Sequence, residues 1–358
     1  MGACKVKKYV RREPEKTVLY QAVEDHFEAF LAARTYEGRD LPGYIIKEFR
    51  EFLKCGRLEH GLVIVHCADC SHHYPVGLSC KRRGFCSSCG GKRMNETAMH
   101  LIDNVLPHAP YRQFVVTVPP ALRYWMGTSR KLARAIHRIA VSEIDRYYKK
   151  KAMEVYGVLG DPGDSFTIHA ATAVHESDRK KLEQLIRYIS RPPVASHRLK
   201  KQTDGTYTYK LKTPWNNGQI THVKFSGEEL MEKLMAIIPT PRAHMSKHCG
   251  VFSSHHRLRD QIILHPEIKK GFFLDEETDK PKRVTRSVLY MRTFKIDLTR
   301  CPACGGENVR VTKAIFDSES ITRYLQDYLP GHDPPQKLPT QDLAKLLPLE
   351  PTYGPCHD

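Results

Sequence analysis

The sequence predicts an α+β protein in which a helical zinc-binding domain precedes a domain built on an antiparallel sheet. Three observations support this: apolar residues at helical spacing near the N-terminus, Cys-x2-Cys pairs after them, and alternating strand-like segments in the second half. A chain of 358 residues corresponds to about two or three domains. We expect a DNA-recognition domain over 1–110, a second domain over 111–325 and a flexible Pro-rich tail over 326–358.

The individual elements follow from residue spacing. Two amphipathic helices, 16–36 and 43–54, lead into the cysteine-rich region. Further along, periodicity and turn residues predict helices over 92–104, 129–153 and 177–189, and strands over 114–118, 166–174, 207–212 and 220–225. Ser226 and Glu229 form a capping box before one more helix. The segment 157–164, rich in Gly and Pro, is the clearest break in the chain.

Two Cys-x2-Cys pairs, Cys67 with Cys70 and Cys86 with Cys89, are separated by fifteen residues. This spacing is typical of a Cys4 zinc site, because each tight turn supplies two thiolates to one tetrahedron. Buried free thiols are the alternative, but core cysteines do not usually occur as such pairs. A RING-like protein-interaction module also uses two pairs, but the basic residues between them disfavour it. We therefore predict structural Zn²⁺.

The other cysteines leave alternatives open. Cys55 and Cys80 complete a second site with nearby histidines, or Cys55 is a core residue at a helix end. Cys301 and Cys304 form half of a zinc site. The candidates for its other half are Cys249, His248, His255, Cys356 and His357. The odd total of eleven cysteines fits metal binding better than a complete set of disulfides.

The charge of the chain predicts a polyanionic partner. Lys and Arg number 57 against 40 Asp and Glu, a formal net charge of +17. Five of the cations surround the second cysteine pair, and we expect them to contact DNA phosphates: Lys81, Arg82, Arg83, Lys92 and Arg93. Because the sequence contains no apolar run of membrane-spanning length and no signal peptide, we expect a cytoplasmic protein with no membrane partner.

Tyr188 is the candidate catalytic residue. It lies near the end of the predicted helix 177–189, between Arg187 and Arg191, which are expected to contact DNA. A helical tyrosine beside cations has the features of a phosphotyrosyl nucleophile, although an amphipathic tyrosine at a helix interface is the simpler reading. The histidines form no His-x-His pair, the arrangement that would chelate an ion from one strand.

The chain resembles the rolling-circle transposases of the insertion-sequence-ninety-one family over about residues 8–325. The segments that carry the resemblance are, in order, EFREFLKCG, SCKRRGFCSSCGGKRM, LPHAPYRQFVVTVPPALRYWM, DRKKLEQLIRYISRPPVASHRL, LKTPWNNGQITHV, IIPTPRAHMSKHCGVFSSHHRLR and FKIDLTRCPACGGENVRV. The resemblance implies a bacterial protein with an N-terminal zinc-binding domain and a transposase domain of the HUH nuclease type. In that type two histidines bind Mg²⁺ or Mn²⁺, and a tyrosine attacks single-stranded element ends to form a 5′-phosphotyrosine.

By position, Tyr188 matches the family's nucleophile, and Gln184 stands where some members have a second tyrosine. The family's His-hydrophobic-His strand has no counterpart before FTIHAATAV, so we interpret 157–164 as the site of an internal deletion. Two functions follow: tyrosine-mediated cleavage and transfer of single-stranded DNA in transposition, or a catalytically inactive remnant that only binds DNA. Because a metal ion supplies several kcal/mol in such reactions, we expect poor cleavage or none.

Overall fold

A computed structural model of the chain describes residues 12–119, 122, 125–126, 129–153, 167–169, 172–215, 218–253, 255–263 and 300–328. Over these residues the protein is a mixed α and β structure with small antiparallel sheets, as predicted. The proposed deletion site 157–164 lies outside the described residues, as does the tail beyond residue 328. None of the helices in the described ranges is both long enough and apolar enough to cross a bilayer.

The helices α1 to α8 are Val18–Tyr36, Gly43–Lys54, Ser87–His100, Arg130–Met153, Arg179–Ile189, Gly227–Ala236, Arg259–Ile262 and Ser318–Tyr328. The strands β1 to β10 are Leu62–Cys67, His73–Gly77, Tyr111–Arg112, Val115–Thr117, Thr167–His169, Ala173–Val174, Leu199–Lys201, Tyr207–Trp215, Ile220–Phe225 and Val309–Ile315. The predicted helices are present, and the capping box of Ser226 and Glu229 starts α6. Residues 326–328, assigned to the tail from sequence, end α8.

Aromatic stacking joins α1 and α2 to the cysteine-rich loop. The rings of Phe27 and Phe49 stack with centroids 4.3 Å apart. Phe85, which lies between two cysteines of the loop, packs 4.8 Å from Phe49 and 4.9 Å from Phe52. All four side chains are buried, so the loop is fixed to the helical core by apolar contact.

The helical core extends beyond the boundary expected at residue 110. Leu199 of β7, Tyr207 of β8 and three side chains of α6 belong to the same buried cluster as α1 and α2. Helix α1 buries residues at six positions, a wider apolar surface than α2 alone covers. The core of the N-terminal domain therefore does not end at the boundary expected at residue 110, because strands β7 and β8 and helix α6 form its other side.

A second departure concerns residues 300–325, which were expected to form the end of the second domain. Strand β10 pairs with β1 in a three-stranded antiparallel sheet of order β10-β1-β2. Side chains of α8 and of the segment before β1 complete a small core, which consists of Leu58, Leu62, Ile64, Ile315, Ile321, Tyr324 and Leu325. This part of the chain therefore packs on the N-terminal domain.

The helix that carries Tyr188, α5, packs against α3. Leu182 and Ile186 of α5 contact Ala98 and Ile102 in a third buried cluster. Arg179 donates hydrogen bonds to backbone carbonyls of the segment that follows α3, those of Ile102, Leu106 and Pro107. The predicted strand 166–174 is divided, because β5 pairs with β4 whereas β6 pairs with β3.

Glu48 provides a test of how the cysteine-rich loop is held. Its carboxylate is 7% exposed and accepts a hydrogen bond of 2.7 Å from the backbone amide of Gly84. Glu48→Ala leaves that amide buried without an acceptor, so we expect the free energy of unfolding to fall by about 1–3 kcal/mol. Glu48→Gln keeps an acceptor oxygen and should lose less. Urea denaturation measures both variants, and equal losses would contradict the role of this bond.

The contact between α3 and the end of α5 depends on Gly90. A Cβ atom there would lie 3.0 Å from Cβ and Cγ of Pro192, whereas one at neighbouring Gly91 would meet no atom within 4 Å. We expect Gly91→Ala to raise the free energy of unfolding by up to about 1 kcal/mol, because alanine favours helix. Gly90→Ala should lose that gain and a further 1 kcal/mol or so through overpacking. If thermal unfolding showed both variants to be stabilised equally, Pro192 would have moved aside without cost, and the close packing at Gly90 would not limit stability.

Candidate metal centres and tyrosine site

Eight cysteines lie in two groups of four, and within each group the sulfur atoms are all within 4.8 Å of one another. The first cysteine group consists of Cys55, Cys80, Cys86 and Cys89, and the second consists of Cys67, Cys70, Cys301 and Cys304. The prediction that Cys67, Cys70, Cys86 and Cys89 share one site is wrong. The eight cysteines considered as zinc ligands from sequence are the ones that form the two groups, divided differently.

The hairpin of β1 and β2 explains this division. Cys67 and Cys70 lie at its closed end, whereas Cys55 and Cys80 flank its open end. Six residues of extended strand separate the two ends by roughly 20 Å, at about 3.3 Å per residue. Cys86 and Cys89 follow the open end along the chain and join Cys55 and Cys80 there. Cys67 and Cys70, at the closed end, must therefore find their partners elsewhere in the chain.

The geometry of the first cysteine group suits a tetrahedral ion. Three of its Sγ–Sγ distances are 3.4 Å for Cys80 and Cys89, 3.6 Å for Cys86 and Cys55, and 3.7 Å for Cys55 and Cys89. A Zn–S bond of about 2.3 Å requires tetrahedron edges near 3.8 Å, whereas a disulfide requires about 2.05 Å. These residues therefore fit zinc, and no bond between sulfurs is formed.

Hydrogen bonding and the helix dipole favour thiolates at three of these four cysteines. The backbone amide of Cys80 donates to the sulfur of Cys55 at 3.4 Å. Hydrogen bonding among the thiols, that of Cys80 foremost, lowers the pKa of Cys55 well below its ordinary value, whereas the bond to Cys55 raises the pKa of Cys80 and Cys86. Cys86 and Cys89 stand at the N-terminus of α3, where the helix dipole favours negative charge. The thiolate is the form that binds metal, so the local structure prepares the ligands.

The second cysteine group is more open. Its Sγ–Sγ distances are 3.7 Å for Cys67 and Cys304 and 3.7 Å for Cys70 and Cys301. Cys67 and Cys301 are buried, whereas Cys70 and Cys304 are exposed. Burial raises the pKa of Cys301, but backbone amides of residues 303 and 304 outweigh it and bring the value to about 7. Of the partners considered for Cys301 and Cys304, Cys249 is exposed and belongs to neither group.

The five cations expected to contact DNA lie around the first cysteine group, but two of them also hold protein backbone. Arg83 donates to the carbonyls of Ala243 and Thr240. Arg93 donates to the carbonyls of Lys81 and Arg82 at 3.2 and 3.3 Å. Lys92 lies 3.6 Å from Glu96, and Lys81 is exposed. The basic stretch thus fixes its own loop and still presents charge at the surface.

Tyr188 lies in the last turn of α5 and is 47% exposed. The ammonium group of Lys212 donates to its hydroxyl oxygen at 3.2 Å and stands 4.4 Å from the ring centroid. The guanidinium of Arg191 stacks on the ring at 4.5 Å. These cations lower the pKa of Tyr188, with the hydrogen bond from Lys212 as the largest cause. An exposed phenol between two cations can form a nucleophilic phenolate and face a phosphate.

Two features of this site were not predicted from the sequence. Arg187 forms a 2.6 Å ion pair with Glu183, one helical turn earlier. Lys212 contacts Tyr188 although 24 positions separate the two residues in the chain. Only the register of β8 against the end of α5 brings the two together.

No further metal site accompanies Tyr188 in the described ranges. Apart from the two cysteine groups, no cluster of His, Cys, Asp or Glu there has its ligand atoms close enough to hold an ion. His175 bonds through Nδ1 to the hydroxyl of Ser177 at 2.9 Å, before the start of α5. The side chain of His169 lies outside the described residues.

Two family models match this chain. The transposase zinc-binding domain matches residues 22–118, a range that contains six of the eight grouped cysteines. A model described as a putative transposase matches residues 130–259, which include Tyr188 and Lys212. Comparisons with curated proteins and with solved structures give no match. The zinc-binding module followed by the transposase region shows that the chain belongs to the insertion-sequence-ninety-one family of transposases, whose function is DNA transposition.

Proposed function

We propose that this transposase cleaves single-stranded DNA with Tyr188 as the nucleophile and transfers the strand through a 5′-phosphotyrosine. The observation that supports this most directly is the contact of the Tyr188 hydroxyl with Lys212, beside the stacked guanidinium of Arg191. A core or interface tyrosine has no need of two cations at its exposed edge. The same residues lie within the range 130–259 that matches a transposase model, which supports the proposal.

The proposed chemistry follows from these three side chains. Lys212 favours the phenolate form of Tyr188, whose oxygen attacks the scissile phosphorus and forms a new P–O bond. The bond from phosphorus to the 3′ oxygen breaks, and that oxygen takes a proton from water. Arg191, on the ring face, stabilises the negative charge that develops on the phosphorane. The 5′ end remains joined to Tyr188 for transfer.

The family resemblance also implies Mg²⁺ or Mn²⁺ held by two histidines, and the donor set on this chain does not fit that ion. The sequence has no His-x-His, and no suitable ligand cluster lies among the described residues around Tyr188. The step above is therefore assigned to protein cations alone. Metal assistance ordinarily supplies several kcal/mol, so the expected reaction is slow.

DNA recognition is assigned to the N-terminal module. Zinc in the first cysteine group would fix the loop that carries Lys81, Arg82 and Arg83 against the start of α3. Ser196 follows Tyr188 in the chain, and its hydroxyl donates to that of Ser87 at 3.0 Å. This bond connects the segment after Tyr188 to the start of α3. With a net charge of +17, one DNA strand can follow cations from this loop to the tyrosine.

A second candidate function is DNA binding without cleavage, and the missing His-x-His favours it. Such a protein would compete with an intact transposase for element ends. It would keep the salt-sensitive affinity of the basic surface but form no covalent bond to DNA. The two candidates therefore differ in one observable, the protein–DNA adduct.

The adduct is tested directly with Tyr188→Phe. The wild-type chain is incubated with single-stranded element ends and Mg²⁺ or Mn²⁺, and denaturing electrophoresis should show a slow-forming covalent complex. Tyr188→Phe lacks the attacking oxygen, so we expect no complex and DNA binding within about twofold of wild type. Tyr36→Phe alters a tyrosine that is 95% exposed and should react like wild type.

The outcomes separate the candidates. A complex that persists in Tyr188→Phe would refute this residue as the nucleophile. If the wild-type chain binds DNA and forms no complex, the protein is the binding-only remnant.

The contact of Lys212 with Tyr188 predicts how adduct formation depends on pH. Since its hydrogen bond lowers the pKa of Tyr188, Lys212→Met should raise that pKa and move the rise of adduct formation to higher pH. Because the phenolate fraction at neutral pH falls as this pKa rises, we expect a slower reaction at neutral pH that recovers in alkaline buffer. Lys210→Met, on the same strand, is the control and should keep the wild-type profile. An unshifted profile for Lys212→Met would contradict the role of Lys212.

A further inference from the structure

We infer that the second cysteine group is a zinc site that joins residues 300–328 to the N-terminal sheet, and that it releases its ion before the first group does. Cys301 and Cys304 lie outside both matched family models, which end at residues 118 and 259. The inference rests on the geometry of the four sulfurs and is independent of the chemistry proposed for Tyr188.

Each half of the site is a short turn next to a strand. Cys67 ends β1, and Cys70 lies in the turn that follows, where Ser71 has a φ of 59°. Cys301 and Cys304 precede β10, in a turn where Gly305 has a φ of 78°. Such turns direct two sulfurs to one side, and two of them facing each other provide the four thiolates of a tetrahedral site. Four soft sulfur ligands select zinc over magnesium or calcium.

Hydrogen bonds around the sulfurs support a bound ion. The amide of Gly306 donates to the sulfur of Cys304 at 3.3 Å, which stabilises a thiolate there. The two turns are also bonded to each other: the side-chain amide of Asn308 donates to Asp69 at 2.6 Å, and the amide of Ala68 donates to the carbonyl of Asn308 at 2.9 Å. The ligands are therefore positioned by contacts outside the site, as in structural metal centres.

The site closes a long loop. Cys70 and Cys301 are 231 positions apart, and the segment they connect includes the whole region matched to the transposase model. A cross-link of this span reduces the entropy of the unfolded chain more than a short one does. Without the ion, β10 and α8 are held by strand pairing with β1 and by the small core beneath it.

The difference in exposure predicts the order of metal release. Two of the four sulfur-bearing residues in the second group are exposed, whereas the first group has three buried members and one of intermediate exposure. A chelator must contact the ion or its ligands to remove it, so the open site exchanges first. Release there should also weaken the attachment of residues 300–328, which strand pairing with β1 and the small core then hold without the cross-link.

Timed alkylation on the wild-type chain tests this grouping without any substitution. The zinc-loaded protein is treated with EDTA and iodoacetamide, and each cysteine is followed by mass spectrometry. We expect Cys249, which is exposed and in neither group, to react at once. The second cysteine group should then react as a set, several-fold faster than the first group. Reaction of Cys301 and Cys304 at the rate of Cys249 before EDTA is added, or of Cys67 and Cys70 together with Cys86 and Cys89, would overturn the inference.

Metal content provides the second measurement. The purified chain should contain two zinc ions, and the double variant Cys301→Ser with Cys304→Ser should contain one. That variant should also become sensitive to proteases in residues 300–328, while Cys249→Ser keeps two ions and the wild-type cleavage pattern. Two ions retained in the double variant, or one ion in the wild-type chain, would refute the second site.

Discussion

The first cysteine group fixes the junction between α2 and α3, and the rest of the described structure depends on that junction. Cys55 is the residue after α2, and Cys86 is the residue before α3. An ion bound by both helix ends would set the start and direction of α3. Gly90 then meets Pro192, and Ala98 meets α5, so the position of Tyr188 follows from the same junction.

A bound metal ion would contribute more to this junction than any single contact around it. Structural zinc binding is worth about 10–16 kcal/mol in small zinc-binding peptides, which equals or exceeds the about 5–15 kcal/mol net stability of a typical protein. The contacts of Phe85 and the bond from Gly84 to Glu48 contribute a few kcal/mol each at most. These contacts select the conformation of the loop, and a bound ion would supply most of the energy that keeps it.

Sequence reasoning predicted what depends on neighbouring residues and missed what depends on distant ones. Helices α1, α2 and α5 and the capping box at Ser226 follow from local periodicity and local hydrogen bonds, so they were predicted closely. The eight cysteines were identified by type and spacing, but their grouping depends on the hairpin of β1 and β2. The strand partner of β1 and the contact of Lys212 with Tyr188 involve sequence separations that no periodicity encodes.

The zinc-binding module shares its buried core with the strand that carries Lys212. Tyr207 begins β8, the strand that carries Lys212, and it is buried in the same cluster as α1, α2 and the first cysteine group. Tyr188 reaches that group by a second route, through α5 and α3. Tyr188 and Lys212 are therefore positioned separately by elements that meet at the first cysteine group. Loss of an ion bound there would displace both, so the DNA recognition and the phenolate that we propose would depend on the same metal.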